Sequence, residues 1–320
     1  MKAIRYHQIG DPTVLRWEDA ETPAPGAGEV LIAVRAAGVN FADTERRRGL
    51  YDAAAPLPRI LGSEAAGVVH SVGPGVDAAW VGRRVVAFTP ACYAEFTKAS
   101  LDVVFPLPDN VSFEMAASIP VQGLTAYHLV NTAGRVAKGQ WVLVHSAAGG
   151  VGLLATQMVK ALGGKVIGTV STDAKAAQAR DAGADAVLRY DQVEGEVPRI
   201  TEGHGVDLVL DAVGADTWRA SLKSLAPFGH LILYGSASGE VPKLDVDAEL
   251  MPRSLKVSAY WLRSPHPAEL QQRAMSSLLE DVAAGRLRIT IGLQLPLTEA
   301  VEAHRRLESR ATVGKVVLTV

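Results

Sequence analysis

One segment constrains this chain more than any other: residues 141–163 read WVLVHSAAGGVGLLATQMVKALG. An apolar run enters a glycine-rich turn and leaves as a helical stretch. Against the dinucleotide fingerprint G-x-G-x-x-G, Gly149 and Gly152 match, while Ala147 takes the first glycine's place. Glycine at 149 lets the backbone approach a pyrophosphate, and glycine at 152 lets the helix pack closely on the strand. The free N–H groups at the helix start then receive the phosphate charge. A turn that merely joins strand to helix is the plainer alternative. The strand–turn–helix setting within a βαβ unit favours the dinucleotide.

The surroundings of this motif supply that unit. After the helix at 151–162 come a strand at 166–170, a helix around 174–182 ending at Gly183, and a strand at 186–190. Two more strands, 207–210 and 230–234, flank a helix at 218–225, and a helix at 124–136 precedes the motif. Strands alternating with helices predict a doubly wound parallel sheet covered on both faces. The first third reads differently, with short strands at 2–7, 29–39, 64–72, 83–88 and 93–98 separated by Gly/Pro turns such as TPAPGAG. That texture predicts a small, irregular β-barrel. A long helix at 267–284 opens a tail that continues with a helix at 298–309 and a strand at 315–320, too short for a separate domain. The expected organisation is a first domain over 1–123 completed by 264–320, with the dinucleotide-binding domain over 124–263 between them.

The end of the second parallel strand decides between the two nicotinamide cofactors. NAD sites place an acid there to hold the ribose 2′-hydroxyl. This chain reads Val170-Ser171-Thr172-Asp173-Ala174-Lys175, with hydroxyls at the tip and a lysine one turn later. Those groups suit a 2′-phosphate and favour NADPH. Asp173 holds an NAD ribose on one reading and caps the following helix on the other; the cap is preferred.

Charge and cysteine usage exclude several classes. With 32 basic and 34 acidic side chains the formal charge is −2, which gives no footprint for nucleic acid or an anionic membrane. Cys92 is the single cysteine, so neither an intrachain disulfide nor a multi-cysteine zinc site is available. The opening MKAIRYHQIG has no apolar core of a signal peptide. No stretch reaches the length of a membrane span. A cytoplasmic protein is the expectation.

Read together, several motifs in order resemble the zinc-free quinone oxidoreductase (ζ-crystallin-like) family of the medium-chain dehydrogenase/reductase superfamily. They include the opening MKAIRYHQIGDPTVLRWED, then GEVLIAVRAAGVNFADTERRRGLY, LGSEAAGVV, GLTAYHLV, HSAAGGVGLLATQMVKALG, VDLVLDAVG and the ending LESRATVGKVVL. The resemblance implies a GroES-like catalytic domain interrupted by a Rossmann domain, and a homodimer paired through the cofactor domains. It carries pyrophosphate binding onto Ala148, Gly149, Gly150, Val151 and Gly152. Ser171, Lys175, Tyr190 and Arg310 match positions at the adenosine 2′-phosphate end. Gly235, Ser236 and Ala237 match the loop near the nicotinamide, and Asn40, Tyr51 and Thr125 match residues around the nicotinamide and substrate pocket. Glu45 stands where relatives commonly carry tyrosine, and Ser236-Ala237-Ser238 replaces a frequent Asn-Ser-Ser.

Zinc alcohol dehydrogenases share this two-domain plan, but their G-H-E motif reads Gly62-Ser63-Glu64 here, and Asn40 replaces the other catalytic ligand, a cysteine. Glu64 alone makes no zinc site. Without a Lewis acid, an activated acceptor such as a quinone or an α,β-unsaturated carbonyl is the expected substrate. Asn40 is expected to hydrogen-bond near the nicotinamide ribose or acceptor oxygen, unless it serves only as an N-cap. Tyr51 is expected to line the pocket and is a possible donor to the reduced oxygen. His128 reads as structural, Cys92 as a thiol without a histidine partner, and Arg46-Arg47-Arg48 as a solvated helix face. The expected activity is NADPH-dependent quinone reduction. The alternatives are an enoyl or 2-alkenal reductase and a non-catalytic NADPH-binding protein.

Overall fold

The computed structural model describes residues 1–320 apart from 52–54, 241 and 265. It divides into two compact units, one formed by Met1–Leu124 with His266–Val320 and the other by Thr125–Pro265.

The second unit is built on six parallel strands. Across the sheet they run Ala186–Arg189, Lys165–Val170, Trp141–Val144, Val206–Asp211, Leu225–Leu233 and Lys256–Ala259. In chain order that is 3-2-1-4-5-6, the dinucleotide-binding order, which puts its switch point at Trp141–Val144. The continuous Val/Leu/Ile runs have a physical cause, since a parallel sheet is buried on both faces. Leu143, Ile167, Val209 and Leu231 are wholly buried and pack with Val193, Val197, Trp218 and Leu222 from the covering helices. The helices Gly150–Ala161, Asp173–Asp181, Val193–Ile200 and Ala215–Ser224 are the crossovers.

The first unit carries a seven-stranded sheet and a three-stranded one. The long strand Glu29–Val39 organises the larger sheet, pairing antiparallel with Ala65–Val72, Phe96–Ser100 and the C-terminal strand Lys315–Thr319. The register Val316↔Val39 and Val317↔Gly38 brings the last strand of the chain alongside one of its first. Its core sets Ile4, Tyr6, Val34, Val39, Leu61 and Tyr93 against Leu297, Ala300, Ala303, Val316 and Leu318 from the tail.

Two local expectations are corrected. The helix expected at 124–136 is Pro120–Tyr127, followed by a wider π-type turn over His128–Ala133. Pro120 starts it well because the first turn has no use for that N–H. The strand expected at 93–98 is split: Tyr93 and Ala94 bond to the strand Lys2–Tyr6, and Phe96–Ser100 joins Glu29–Val39.

Candidate active site

In the second unit the strand Trp141–Val144 ends in a sharp reversal, with Ser146 in the left-handed region at φ 54°. The Ser146 carbonyl accepts the Gly149 N–H at 2.8 Å. Gly149 then caps the helix Gly150–Ala161 without any side-chain bond, leaving the first N–H groups of that helix for an outside acceptor. Gly152 is obligatory: a Cβ there would stand 2.4 Å from the Ser146 oxygen and 2.8 Å from the Ala147 Cα. The close packing and bare helix start form a cradle fit for a pyrophosphate.

At the neighbouring strand end, Thr172 is the N-cap of Asp173–Asp181, accepting the Lys175 N–H. The cap expected at Asp173 is therefore one residue earlier. Asp173 is the first helical residue; its carboxylate is fully exposed and 3.9 Å from Arg189 Nη1. Tyr190 follows the strand Ala186–Arg189, with its hydroxyl 3.1 Å from Ser146 Oγ and its ring stacked on His145 at 5.9 Å. Gly235, Ser236 and Ala237 follow Leu225–Leu233, where the Ala237 N–H reaches the Ala212 carbonyl at 3.1 Å. Ala148–Gly152, Ser171, Lys175, Tyr190 and Gly235–Ala237 thus share the carboxyl-terminal edge of one parallel sheet, where open α/β sheets bind ligands. Thr125 is buried in the helix Pro120–Tyr127.

Beneath this edge runs a polar chain that sequence reasoning missed. Asp211 accepts the N–H groups of Val213 and Gly214 and the hydroxyls of Thr217 and Ser221. Ser221 gives its proton to Asp211 at 2.9 Å, so its oxygen must accept from His145 Nε2 at 2.9 Å. His145 Nδ1 then accepts from Thr169 Oγ1 at 2.9 Å, which fixes the tautomer. Burial lowers the affinity of His145 for a proton, with Asp211 opposing, so the ring is a neutral relay at neutral pH. The available signal was a histidine ending an otherwise apolar strand.

In the first unit, Asn40 precedes the helix Phe41–Arg47, and its N–H donates to the Asp43 carboxylate at 3.0 Å. Its side chain is turned elsewhere: Nδ2 donates to Glu64 Oε1 and Oδ1 accepts from Lys315 Nζ, both at 2.7 Å. Lys315 also bonds Glu64 directly, and both are buried. The other Glu64 oxygen accepts the Val121 N–H at 2.7 Å. Gly38 makes room for this carboxylate, since a Cβ there would stand 2.3 Å from Glu64 Oε1.

The arginine triplet is not a solvated face. Arg46 and Arg47 are buried; Arg48 is exposed. Arg46 Nη1 donates to Asp43 at 3.0 Å and to Ser63 Oγ at 2.8 Å, and its guanidinium lies 4.7 Å from the centre of the Tyr51 ring. Arg47 pairs with Glu308. Arg310, also in this unit, has φ 56° just past the helix Ala300–Glu308. Cys92 is buried, donates to the Thr89 carbonyl and is held protonated by that burial. His128 is buried with Nδ1 on Thr132 Oγ1 at 2.9 Å.

The positions that hold catalytic zinc in the metal-dependent dehydrogenases are unfit for it. Ser63 and Asn40 are soft-ligand losses, and each is bonded to a buried cation, Arg46 or Lys315. Among the described residues no group of three or more His, Cys, Asp or Glu could hold a metal ion. No helix among them is long and apolar enough to cross a membrane.

One unit carries a 3-2-1-4-5-6 sheet with a glycine cradle, and the other sets two buried cations among the positions that hold zinc in metal-dependent relatives; together they define a medium-chain dehydrogenase/reductase. Comparisons with known proteins agree. Residues 26–109 match the alcohol dehydrogenase GroES-like domain, and residues 150–280 match the zinc-binding dehydrogenase family. The quinone oxidoreductase of Pseudomonas aeruginosa is 40% identical, with 99% of each chain covered. The crystal structure of Escherichia coli quinone oxidoreductase complexed with NADPH superposes with a TM-score of 0.95 at 36% identity, covering 100% of both chains. A 2-haloacrylate reductase from a Burkholderia species is 36% identical over 99% of this chain and 98% of its own. The chain belongs to the quinone oxidoreductase family of the medium-chain dehydrogenases/reductases.

Proposed function

We propose that the protein is an NADPH:quinone oxidoreductase that works without a metal. The carrying observation is the glycine cradle at Ser146–Gly152, whose helix start is left for a phosphate, beside a strand end bearing hydroxyls and lysine in place of a buried acid. The family's quinone reductases, one of them complexed with NADPH, support both halves of the reading.

In this reading the N–H groups over Ala148, Gly149, Gly150, Val151 and Gly152 hold the pyrophosphate, and Ser171, Lys175 and Tyr190 hold the 2′-phosphate; Arg310 is assigned to that phosphate by the family resemblance alone. Gly235, Ser236 and Ala237 form the wall at the nicotinamide. When bound, NADPH supplies the hydride. Lys315 donates to Asn40 Oδ1 and Glu64 takes one Nδ2 hydrogen, which leaves the second Nδ2 hydrogen as the donor Asn40 offers the substrate. That polarity suits a quinone oxygen gaining negative charge. Tyr51, its ring held under Arg46, lines the pocket and offers a second hydrogen bond. Thr125 is assigned to the nicotinamide side by the family resemblance alone.

The protein is further proposed to act in the cytoplasm as a homodimer paired through the cofactor domains, which rests on the family resemblance. Light scattering of the purified protein at twice the chain mass supports the dimer, and a monomer refutes it.

The enzymatic test records oxidation of NADPH and of NADH with 1,4-benzoquinone, with and without chelator. Rapid, chelator-insensitive oxidation of NADPH with NADH much poorer is the expected result. A second reading, reduction of activated alkenes, is favoured by the likeness to 2-haloacrylate reductase. Faster turnover of 2-alkenals than of quinones would select it, and tight NADPH binding without turnover of either would select a non-catalytic role.

A further inference from the structure

We infer that Arg189 is a further specificity-determining residue, one that binds the cofactor's 2′-phosphate with Lys175 and keeps Asp173 from serving NADH. This rests on the NADPH reading above and names a residue that none of the sequence motifs singles out.

Three observations carry it. In the parallel register Arg189 stands opposite Val170, the residue before Ser171, so the two strands end side by side. Registered neighbours project to the same face of a sheet. Arg189 accordingly reaches the first turn of Asp173–Asp181, with Nη1 3.9 Å from Asp173 Oδ1. Its backbone is anchored, because the Arg189 N–H donates to Gln192 Oε1 at 2.8 Å and Tyr190 is pinned by Ser146 Oγ and the His145 ring. A fixed strand end thus launches a guanidinium that remains 43% exposed and available to a ligand.

The pair with Asp173 is a loose one between exposed groups, readily exchanged for a better anion. A phosphate dianion is that anion, since the planar guanidinium offers it two parallel N–H donors. Asp173 is also the residue closest in sequence to the acid that an NAD site uses for the ribose diol. Arg189 offsets its charge before the cofactor arrives and replaces it with the phosphate afterwards. Among the charged side chains at this corner, Arg189 and Lys175 therefore favour the phosphate, and Asp173 opposes it.

The test measures binding of 2′,5′-ADP and of ADP by calorimetry, so that no turnover is needed. Arg189→Gln is expected to weaken 2′,5′-ADP about tenfold or more while leaving ADP within about twofold. Arg189→Lys should recover part of the loss. Asp173→Asn is expected to tighten 2′,5′-ADP by about two- to fivefold. Unchanged ADP binding also reports that each variant is folded. If Arg189→Gln leaves 2′,5′-ADP binding intact, or weakens both nucleotides equally, the inference is wrong. If Asp173→Asn selectively weakens ADP, Asp173 holds the ribose and the inference is wrong as well. A wild-type protein that does not distinguish the two nucleotides overturns the NADPH reading itself, whereas discrimination that survives in Arg189→Gln overturns only the role of Arg189.

Discussion

Replacing Lys315 by Met tests the buried centre of the first unit. The ammonium is 1% exposed and its partner Glu64 is wholly buried, so the pair has no solvent to fall back on. Removing one member of such a pair costs about 3–5 kcal/mol because the other charge is left uncompensated. Here Glu64 keeps two hydrogen bonds, from Asn40 Nδ2 and the Val121 N–H, each at 2.7 Å. Two charge-assisted bonds keep the expected loss at the lower end, about 3 kcal/mol. The double variant Glu64→Gln, Lys315→Met removes both charges and should regain at least about 2 kcal/mol of that loss. Urea unfolding of the wild type, both single variants and the double variant closes the cycle. A loss under about 1 kcal/mol for Lys315→Met, or single effects that simply add, would show that the pair is not the compensated buried unit described here.

Four further outcomes follow from local geometry. Gly152→Ala forces a Cβ against two backbone atoms, so a loss of about 1–3 kcal/mol and markedly weaker NADPH binding are expected by denaturation and fluorescence titration; normal binding would remove the cradle. Burial holds His304 down to about 3 against an ordinary 6.5, so below its ordinary range the unfolded chain takes a proton that the folded one refuses. Stability is therefore complete above that range and falls with acidification, by about 2 kcal/mol between about pH 7 and about pH 5, a slope that His304→Gln should flatten. Tyr51→Phe keeps the ring under Arg46 and deletes only the hydroxyl; a fall in turnover of less than about tenfold is expected, because solvent can supply the proton. A larger, pH-dependent fall would make Tyr51 the donor. Cys92 should resist thiol reagents until the protein unfolds, and rapid labelling of the native protein would contradict its burial.

Residues that answer to a local requirement were legible in the sequence. Gly149 and Gly152 are dictated by the turn they occupy, and the parallel strands announce themselves because burial on two faces demands continuous apolar runs. Thr172 and Asp173 mark the edge of that legibility. Either residue has the chemistry of an N-cap, and only the extended backbone of Thr172, at φ −145° and ψ 156°, decides between them.

The charged interior was not legible, for a physical reason. A buried cation is tolerable only beside an anion or acceptor, and those partners come from distant parts of the chain. Arg47 needs Glu308, and Lys315 needs Asn40 and Glu64; Arg46 has Asp43 one turn before it, but its second partner, Ser63, is distant. No window around ERRR contains Glu308 or Ser63, so the triplet reads as a solvated face until the fold closes. The same holds for the residues at the zinc-ligand positions. Losing the Cys and His ligands explains why zinc would bind poorly, but a buried Glu64 would then be a liability. The C-terminal strand removes it by pairing Val316 with Val39, which delivers the Lys315 ammonium to Glu64 and Asn40. A chain lacking that last strand should therefore lose more than a sheet edge: Glu64 would be uncompensated, and Asn40 Oδ1 would lose the Lys315 ammonium that fixes its orientation.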